Sequence, residues 1–581
     1  MTGYRIEGFP FKPEAVTSWG INNERSDNWP VVYTLSSEGE IYVGETINAE
    51  ARLGQHLHSS SKKSLRHVQI ILNDTFNKSV CLDLESHLIR YFAADGKHRV
   101  LNANAGISDA NYFNREEYRQ SFKELFDELV AQGMLSRPIP EIVNSNLFKF
   151  SPFKALNSDQ AIAVSALLEK LIDGMRSRTQ PTIVIQGDPG TGKTIVAIYL
   201  IKLLRDIATI SGDELLEEDS IFSEYFSEEN RALLSGLKLA LVVPQQSLRA
   251  TLQRVFKQTP GLSKDMVLTP FEAGASDEPF DLLIVDEAHR LGQRANQSSA
   301  SLNKKFSEVN LKLFGQDRKD STQLDWIKAN SKAQVLMLDT EQAIKPADLP
   351  IEKTKELIQS ARSSDQLFRL TSQMRVAGGN GYLEFVKALF TESPLPTSSF
   401  SNYDFRIFDD FAEMKTEIEK LDSEQGLARL VAGFAWPWNS KDNPTAHDIE
   451  IQGVKLQWNQ TVTDWVNSPT SINEVGSIHT IQGYDLNYAG VIIGNDLTFD
   501  SKTGKFRFNR DSYFDKKGKE NNPTLGKSYS DEDLLQFVIN IYKVLLTRGV
   551  KGTFVYVLDP RTREVFQNLH AREISRLSRS V

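Results

Sequence analysis

Early in the chain, short β-rich runs alternate with turn-forming residues. Pro30-Val-Val-Tyr-Thr-Leu35 and Ile41-Tyr-Val-Gly44, separated by Ser-Ser-Glu-Gly-Glu, predict a hairpin carrying Tyr33 and Tyr42. Arg52 and His56 follow at i, i+4 spacing, on one helical face. Val80 to Phe92 has helical periodicity and carries Glu85, and Val100-Leu-Asn102 precedes an Asn-Ala-Gly turn. Asn114 to Gly133 aligns Phe122, Leu125, Phe126 and Leu129, which predicts an amphipathic tethering helix. Ser136-Arg-Pro-Ile-Pro140 then interrupts regular structure.

Further on the pattern changes to longer apolar runs alternating with helical segments. Thr182 to Gln186 predicts a strand, Gly187 to Thr194 a glycine-rich turn, and Ile195 to Leu204 a helix. Leu237–Val243, Asp281–Val285, Ala333–Asp339 and Ala489–Gly494 predict further buried strands. This order predicts an α/β fold with parallel sheets. Asp213 to Asn230 is acidic and too polar for a core, and Asp496 to Leu534 is expected to be an inserted polar loop able to touch nucleic acid.

Composition adds bounds. A chain of 581 residues exceeds one core, so several domains are expected. No apolar run approaches the ~20 residues of a membrane span, and the N-terminus lacks a signal-peptide layout. Cys81 stands alone, which excludes an internal disulfide and predicts a small buried apolar residue in a cytoplasmic protein. The net charge of −9 does not point to nucleic acid, yet Ala51 to Asn73 gathers Arg52, Lys62, Lys63, Arg66 and histidines without any Asp or Glu. A local basic groove suffices for such binding, although a solvated face has the same composition.

The strongest chemical signal is Gly187-Asp188-Pro189-Gly190-Thr191-Gly192-Lys193-Thr194. Strand, glycine-rich turn and helix in this order form a phosphate-binding loop, whose backbone N–H groups face the phosphates. Lys193 is expected to reach the β/γ-phosphates of a nucleoside triphosphate and Thr194 to hold Mg²⁺. Asp281-Leu-Leu-Ile-Val-Asp-Glu-Ala-His289 is a strand ending in two carboxylates. Asp286 is expected to hold the same Mg²⁺ and Glu287 to polarise the attacking water.

Two family resemblances extend these assignments. The hairpin motifs Val31-Val-Tyr33 and Tyr42-Val-Gly44, Ala51 to His56, Leu84-Glu-Ser86 and Leu101 to Asn104 together resemble, in order, the GIY-YIG nucleases. The resemblance implies a small α+β module in which Glu85 holds one Mg²⁺. It further implies that Tyr33, Tyr42 or His56 orients or deprotonates the nucleophile, Arg52 stabilises charge and Asn102 braces the site. Val31 and Val32 depart from the usual Gly and Ile.

The remainder resembles superfamily 1 helicases, above all the bacterial group related to the Schlafen helicase-like domain. The carriers are the phosphate loop, Asp286 to His289, Asp339 to Gln342, Leu370 to Arg375, Ile478 to Gly483, Ala489 to Gly494 and Ile541 to Arg548. It implies two RecA-like lobes, with Gln160 choosing adenine, Gln342 sensing the γ-phosphate, Gly483 in the nucleotide site, and Arg375 or Arg548 acting as an arginine finger. Trp436 and Trp438 are expected in the core rather than stacking on bases. The implied layout is a nuclease module at 1–113, a helical connector at 114–155, and lobes at 156–350 and 351–581. The implied activity is an ATP-driven nucleic-acid motor, on DNA rather than RNA, fused to an endonuclease. DNA processing or defence against foreign DNA suits such a fusion. An NTP-gated switch controlling a DNA or RNA nuclease is the alternative.

Overall fold

The computed structural model describes residues 3–102, 112–153, 156–210, 222–294, 297, 299–339, 342–391, 400, 402–461, 465–481 and 484–578. The chain divides into two compact units. One comprises Met1–Leu168, Ile198–Gly236 and Thr251–Met266, the other Glu169–Ala197, Leu237–Ala250 and Val267–Val581.

In the first unit, β1 (Arg5–Pro10), β2 (Asp27–Ser36), β3 (Glu40–Asn48), β4 (His67–Leu72) and β5 (Arg99–Val100) form one sheet, ordered β1-β4-β2-β3-β5. Neighbours are antiparallel except the parallel pair β3 and β5. Strand alternation sorts the side chains onto two faces. Val32, Ile41, Val43 and Ile71 pack with Val80, Leu84 and Leu88 of α3 (Lys78–Asp95). Val31, Tyr33, Leu35, Tyr42 and Val68 pack on the other face, with Ala49 and Leu53 of α2 (Ala49–His58).

Side-chain caps set the helix starts. Asn48 accepts from Ala51 N–H and Asn77 from Val80 N–H, while Gly96 ends α3 in the left-handed conformation. The predicted amphipathic helix is α4 (Arg115–Ala131), whose Phe122, Leu125, Phe126 and Leu129 join the α3 core. α1 (Pro13–Asn22) precedes β2. Cys81 is buried in this core, as expected.

The second unit holds two α/β sheets. In the first, β6 (Thr182–Gly187), β7 (Leu239–Val242), β8 (Val267–Leu268), β9 (Phe280–Val285), β10 (Ser331–Leu338) and β11 (Leu367–Leu370) are all parallel, ordered β11-β6-β10-β9-β7-β8. β10 therefore lies between the strand leading into the phosphate loop and the strand ending in Asp286. β11 follows residue 350 and still pairs with β6.

The other sheet contains β12 (Asp404–Phe408), β13 (Ala428–Ala432), β14 (Ile449–Ile451), β15 (Val454–Trp458), β16 (Glu474–Ser477), β17 (Leu486–Ile493) and β20 (Gly549–Val557), ordered β12-β20-β17-β13-β16-β15-β14. Only β14 and β15 pair antiparallel.

The described parts of two polar stretches are more ordered than their composition suggests. The 496–534 segment contains the antiparallel hairpin β18 (Leu497–Asp500) and β19 (Lys505–Phe508), and it buries Phe508 and Tyr513 in the core. In the acidic stretch, Phe222 is buried against Tyr199 and Glu228–Leu234 is helical. A few aromatic anchors are enough to hold a segment whose average is polar. Among the described residues, no helix is long and apolar enough to cross a membrane.

Candidate functional site

The β2–β3 ladder places Tyr33 opposite Gly44. A Cβ on Gly44 would lie 2.4 Å from the Tyr33 hydroxyl oxygen, so the ring occupies space that only glycine leaves. Tyr33 Oη lies 2.7 Å from His56 Nε2, and the Tyr42 ring meets the His56 ring edge-on at 5.2 Å. α2 supplies His56 from its last turn, fully sheltered in the apolar layer beneath the hairpin. Burial, then Lys62 and Arg52, push the His56 pKa down to about 2, so the imidazole is neutral.

Asn102 clamps β3 from both sides of one residue: it donates to Val43 O (2.7 Å) and accepts from Val43 N–H (3.0 Å). This holds the Tyr42-Val43-Gly44 backbone in place. Arg52, one turn before His56, reaches Gln55 Oε1 at 3.1 Å. Glu85 is half-buried on α3, the helix covering the opposite sheet face from Tyr33 and Tyr42. The Cys81 thiol is pushed up by burial and then by Glu45, with Glu85 adding to the effect, so two carboxylates share that neighbourhood. Hard oxygen donors of this kind fit Mg²⁺. Asp83 is committed elsewhere: it binds Arg119 and Tyr112.

In the second unit, Gly190 and Gly192 have φ of 85° and 82°, backbone angles that favour glycine and curl the phosphate loop. A Cβ on Gly187 would lie 2.5 Å from Thr191 Oγ1. Lys193 begins the helix Lys193–Thr209 and donates to Gly187 O (2.6 Å) and Asp188 O (3.0 Å). Thr194 Oγ1 donates to Asp286 Oδ2 at 2.8 Å. The Asp286 pKa is pushed up to about 6 by burial and then by Glu287.

Burial would also raise Glu287, but the contact with His289 and then the positive charges of Lys193 and Arg290 outweigh it and hold Glu287 well below the carboxylate range. Glu287 has φ 52°, a left-handed conformation costly for a side-chain-bearing residue, of the kind that clusters at active sites. A glycine cradle, a lysine and a hydroxyl–carboxylate pair form a donor set that fits a magnesium–nucleotide complex.

Asp339 completes the arrangement at the end of β10. It accepts from Gln342 Nε2 (2.8 Å), lies 3.5 Å from Lys193 Nζ, and its own N–H donates to His289 Nδ1 (3.3 Å). His289 Nε2 in turn lies 2.9 Å from Glu287 Oε2. The segment after β11 closes onto the loop: Gln373 Nε2 donates to Pro189 O (2.6 Å) and Met374 N–H to Gly190 O (3.0 Å). Arg375 pairs with Asp485. Arg548 is buried, and its pKa is pushed down to about 9 by burial and then by Arg375, with Asp485 and Glu287 opposing. Both expected finger arginines thus lie within electrostatic reach of one another.

Gln160 is buried in a reciprocal cap with Asn157: its Oε1 accepts from Asn157 N–H and its N–H donates to Asn157 Oδ1. Trp436 is half-buried against the core, whereas Trp438 is exposed with Lys441 Nζ 5.7 Å from its ring, so the core expectation fails for Trp438. Gly483 and the turn after Asn102 lie outside the described residues.

Sequence reasoning missed Lys62, Asp339 and Gln373 as parts of these sites. It also missed Glu45, which pairs with Lys78 and keeps its other oxygen buried without a hydrogen-bond partner. Asp339 alone carried a signal, since it ends an apolar strand as Asp286 does.

Comparison with known proteins gives two family matches. Residues 180–559 match the Schlafen group 3 DNA/RNA helicase domain, and residues 30–98 match the GIY-YIG catalytic domain. The uncharacterized protein YPL245W of Saccharomyces cerevisiae is 27% identical over 457 residues, covering 71% of this chain and 92% of that protein. Among solved structures, the arterivirus nonstructural protein 10 helicase aligns at 11% identity and TM-score 0.28, over 68% of this chain and 64% of that one. The Bacteroides Pif1 helicase in complex with ADP-AlF3 and ssDNA aligns at 11% identity and TM-score 0.24, over 71% of this chain and 97% of that one.

Proposed function

Because the chain belongs to the Schlafen group 3 DNA/RNA helicase family and carries a GIY-YIG domain ahead of that region, we propose that it is an ATP-driven nucleic-acid translocase or helicase fused to a Mg²⁺-dependent endonuclease. DNA is the favoured substrate, and processing or defence against foreign DNA is the favoured role. The proposed partition is a nuclease module over 1–113, a connector over 114–155, and lobes over 156–350 and 351–581, with β11 of the later segment returning to the sheet of the first lobe.

One observation carries the motor: Lys193, Thr194, Asp286, Glu287 and Asp339 converge at the ends of β6, β9 and β10. Lys193 and the loop N–H groups would hold the phosphates, and Thr194 with Asp286 would hold Mg²⁺. Bound ATP supplies the anhydride whose hydrolysis drives movement. Glu287, kept ionised by the groups around it, would accept a hydrogen bond from the attacking water and so polarise and orient it. Arg375 and Arg548 would oppose charge developing on the transferred phosphoryl group. The nuclease half rests on the contacts joining Tyr33, Tyr42 and His56; Glu85, carried by α3 over the other sheet face, is the proposed Mg²⁺ ligand.

The test measures ATP turnover and Mg²⁺-dependent cleavage together, on single-stranded DNA, duplex DNA and RNA. Nucleic acid should stimulate the ATPase, and Glu85→Ala should lose at least about a hundredfold in cleavage with ATP turnover intact. Absence of nucleic-acid-stimulated turnover would sink the motor in favour of the switch. A Glu85→Ala variant that cuts like wild type would remove the nuclease assignment.

A further inference from the structure

We propose that Lys62 is a positioning residue of the nuclease site: by donating to His56 Nδ1 it holds the imidazole as the Nε2–H tautomer and directs that N–H onto the Tyr33 hydroxyl oxygen. The catalytic consequence rests on the nuclease reading above. The hydrogen-bond direction does not.

The geometry supplies each step. α2 ends at His58, and the chain turns through the 3₁₀ segment Ser60–Lys62, which carries the Lys62 side chain back over His56. Lys62 is only 8% exposed, its Nζ lies 2.9 Å from His56 Nδ1, and it sits 4.0 Å from the centre of the Tyr42 ring. The negative face of that ring favours the ammonium form, and an ammonium has donors only. Nδ1 must then accept, so the proton of a neutral imidazole resides on Nε2, 2.7 Å from Tyr33 Oη. Tyr33 receives this hydrogen bond, and its own hydroxyl proton must be directed away from His56.

The charged and titratable groups described around His56 are Tyr33 from β2, Tyr42 from β3, Lys62 from the 3₁₀ turn and Arg52 from its own helix. None of them is a carboxylate that would favour the imidazolium. Without the Lys62 donor, Nδ1 can carry the proton instead, and the bond to Tyr33 can reverse.

The full-length protein with ¹⁵N-labelled histidine provides the first readout, the His56 signals being assigned by their loss in His56→Gln. The wild type should show an unprotonated Nδ1 and a protonated Nε2. Lys62→Met, which keeps most of the stem, should mix or invert this pattern and lower kcat for cleavage by at least about tenfold, with KM and ATP turnover unchanged. Lys62→Arg keeps a cationic donor and should restore most of the rate.

A wild-type Nδ1–H tautomer, or a Lys62→Met variant with unchanged tautomer and kcat, would overturn the proposal. Should Lys62→Met fail to fold, shown by loss of the N-terminal unfolding transition in calorimetry, the wild-type tautomer and Lys62→Arg still decide it. A wild type that cuts no nucleic acid removes the nuclease reading and the catalytic half of this proposal, while the tautomer readout still judges the hydrogen-bond direction.

Discussion

Gly44→Ala isolates the packing requirement of the proposed nuclease site. The added Cβ would lie 2.4 Å from Tyr33 Oη, 2.5 Å from Cζ and 3.0 Å from Cε1. Tyr33 is wholly buried, so its ring can move only by displacing neighbours and breaking the 2.7 Å bond to His56. Overpacking of this kind costs roughly 1–3 kcal/mol, and a buried polar group left unpaired adds roughly 1–3 kcal/mol. The lower end of the sum, about 2 kcal/mol, already corresponds to a rate loss of about thirtyfold if it falls on the reacting geometry.

Gly39→Ala in the same hairpin is the control, since its Cβ would meet nothing within 4 Å. Cleavage rate, scanning calorimetry and ATP turnover should be measured for both variants. Gly44→Ala should lose cleavage and lower the unfolding transition of the N-terminal module, with ATP turnover near wild type. Gly44→Ala indistinguishable from Gly39→Ala in both cleavage and calorimetry would refute the packing argument.

Three other outcomes are expected. Lys193→Ala should reduce ATP turnover to below about one hundredth; retained nucleic-acid-stimulated hydrolysis would contradict the phosphate role. Glu287→Gln should bind ATP with near-normal affinity and hydrolyse it far more slowly, which equilibrium binding and single-turnover assays separate. Asp496 is buried, accepts from Tyr542, and has its pKa pushed up to about 7 by that burial. A raised folded-state pKa means the folded protein holds this proton longer than the unfolded chain, so stability falls as pH rises from the ordinary Asp range through 7. Asp496→Asn should flatten that fall in denaturation measured across pH, and an unchanged pH profile would discount the buried charge.

The legible parts of the chain were those whose chemistry is local in sequence. The phosphate loop and the Asp286-Glu287 strand end each state strand, turn and polar residue within one short segment. Tyr33, Tyr42 and His56 were found through ordered short motifs, and their ring contacts follow from strand alternation beneath one helix. Lys62 was visible only as part of a basic stretch, because its meaning depends on a 3₁₀ turn that reverses the chain over His56. Gln373 was hidden for a related reason: its partner, Pro189, lies far away in sequence and is reached only because β11 pairs with β6. The polar average of 496–534 concealed Phe508 and Tyr513, whose burial fixes that segment.

Lys193 rests on the carbonyl oxygens of Gly187 and Asp188, with Asp339 close behind. A ligand that takes up the Lys193 ammonium must outcompete these oxygens for it. A nucleoside brings no anionic oxygen to that contest, and a monophosphate brings its charge on a single phosphorus. A triphosphate spreads several anionic oxygens across both the lysine and the loop N–H groups. If the chain binds a nucleotide as proposed, these contacts would set a charge threshold, and the loop would favour a triphosphate over a monophosphate before any contact to the base.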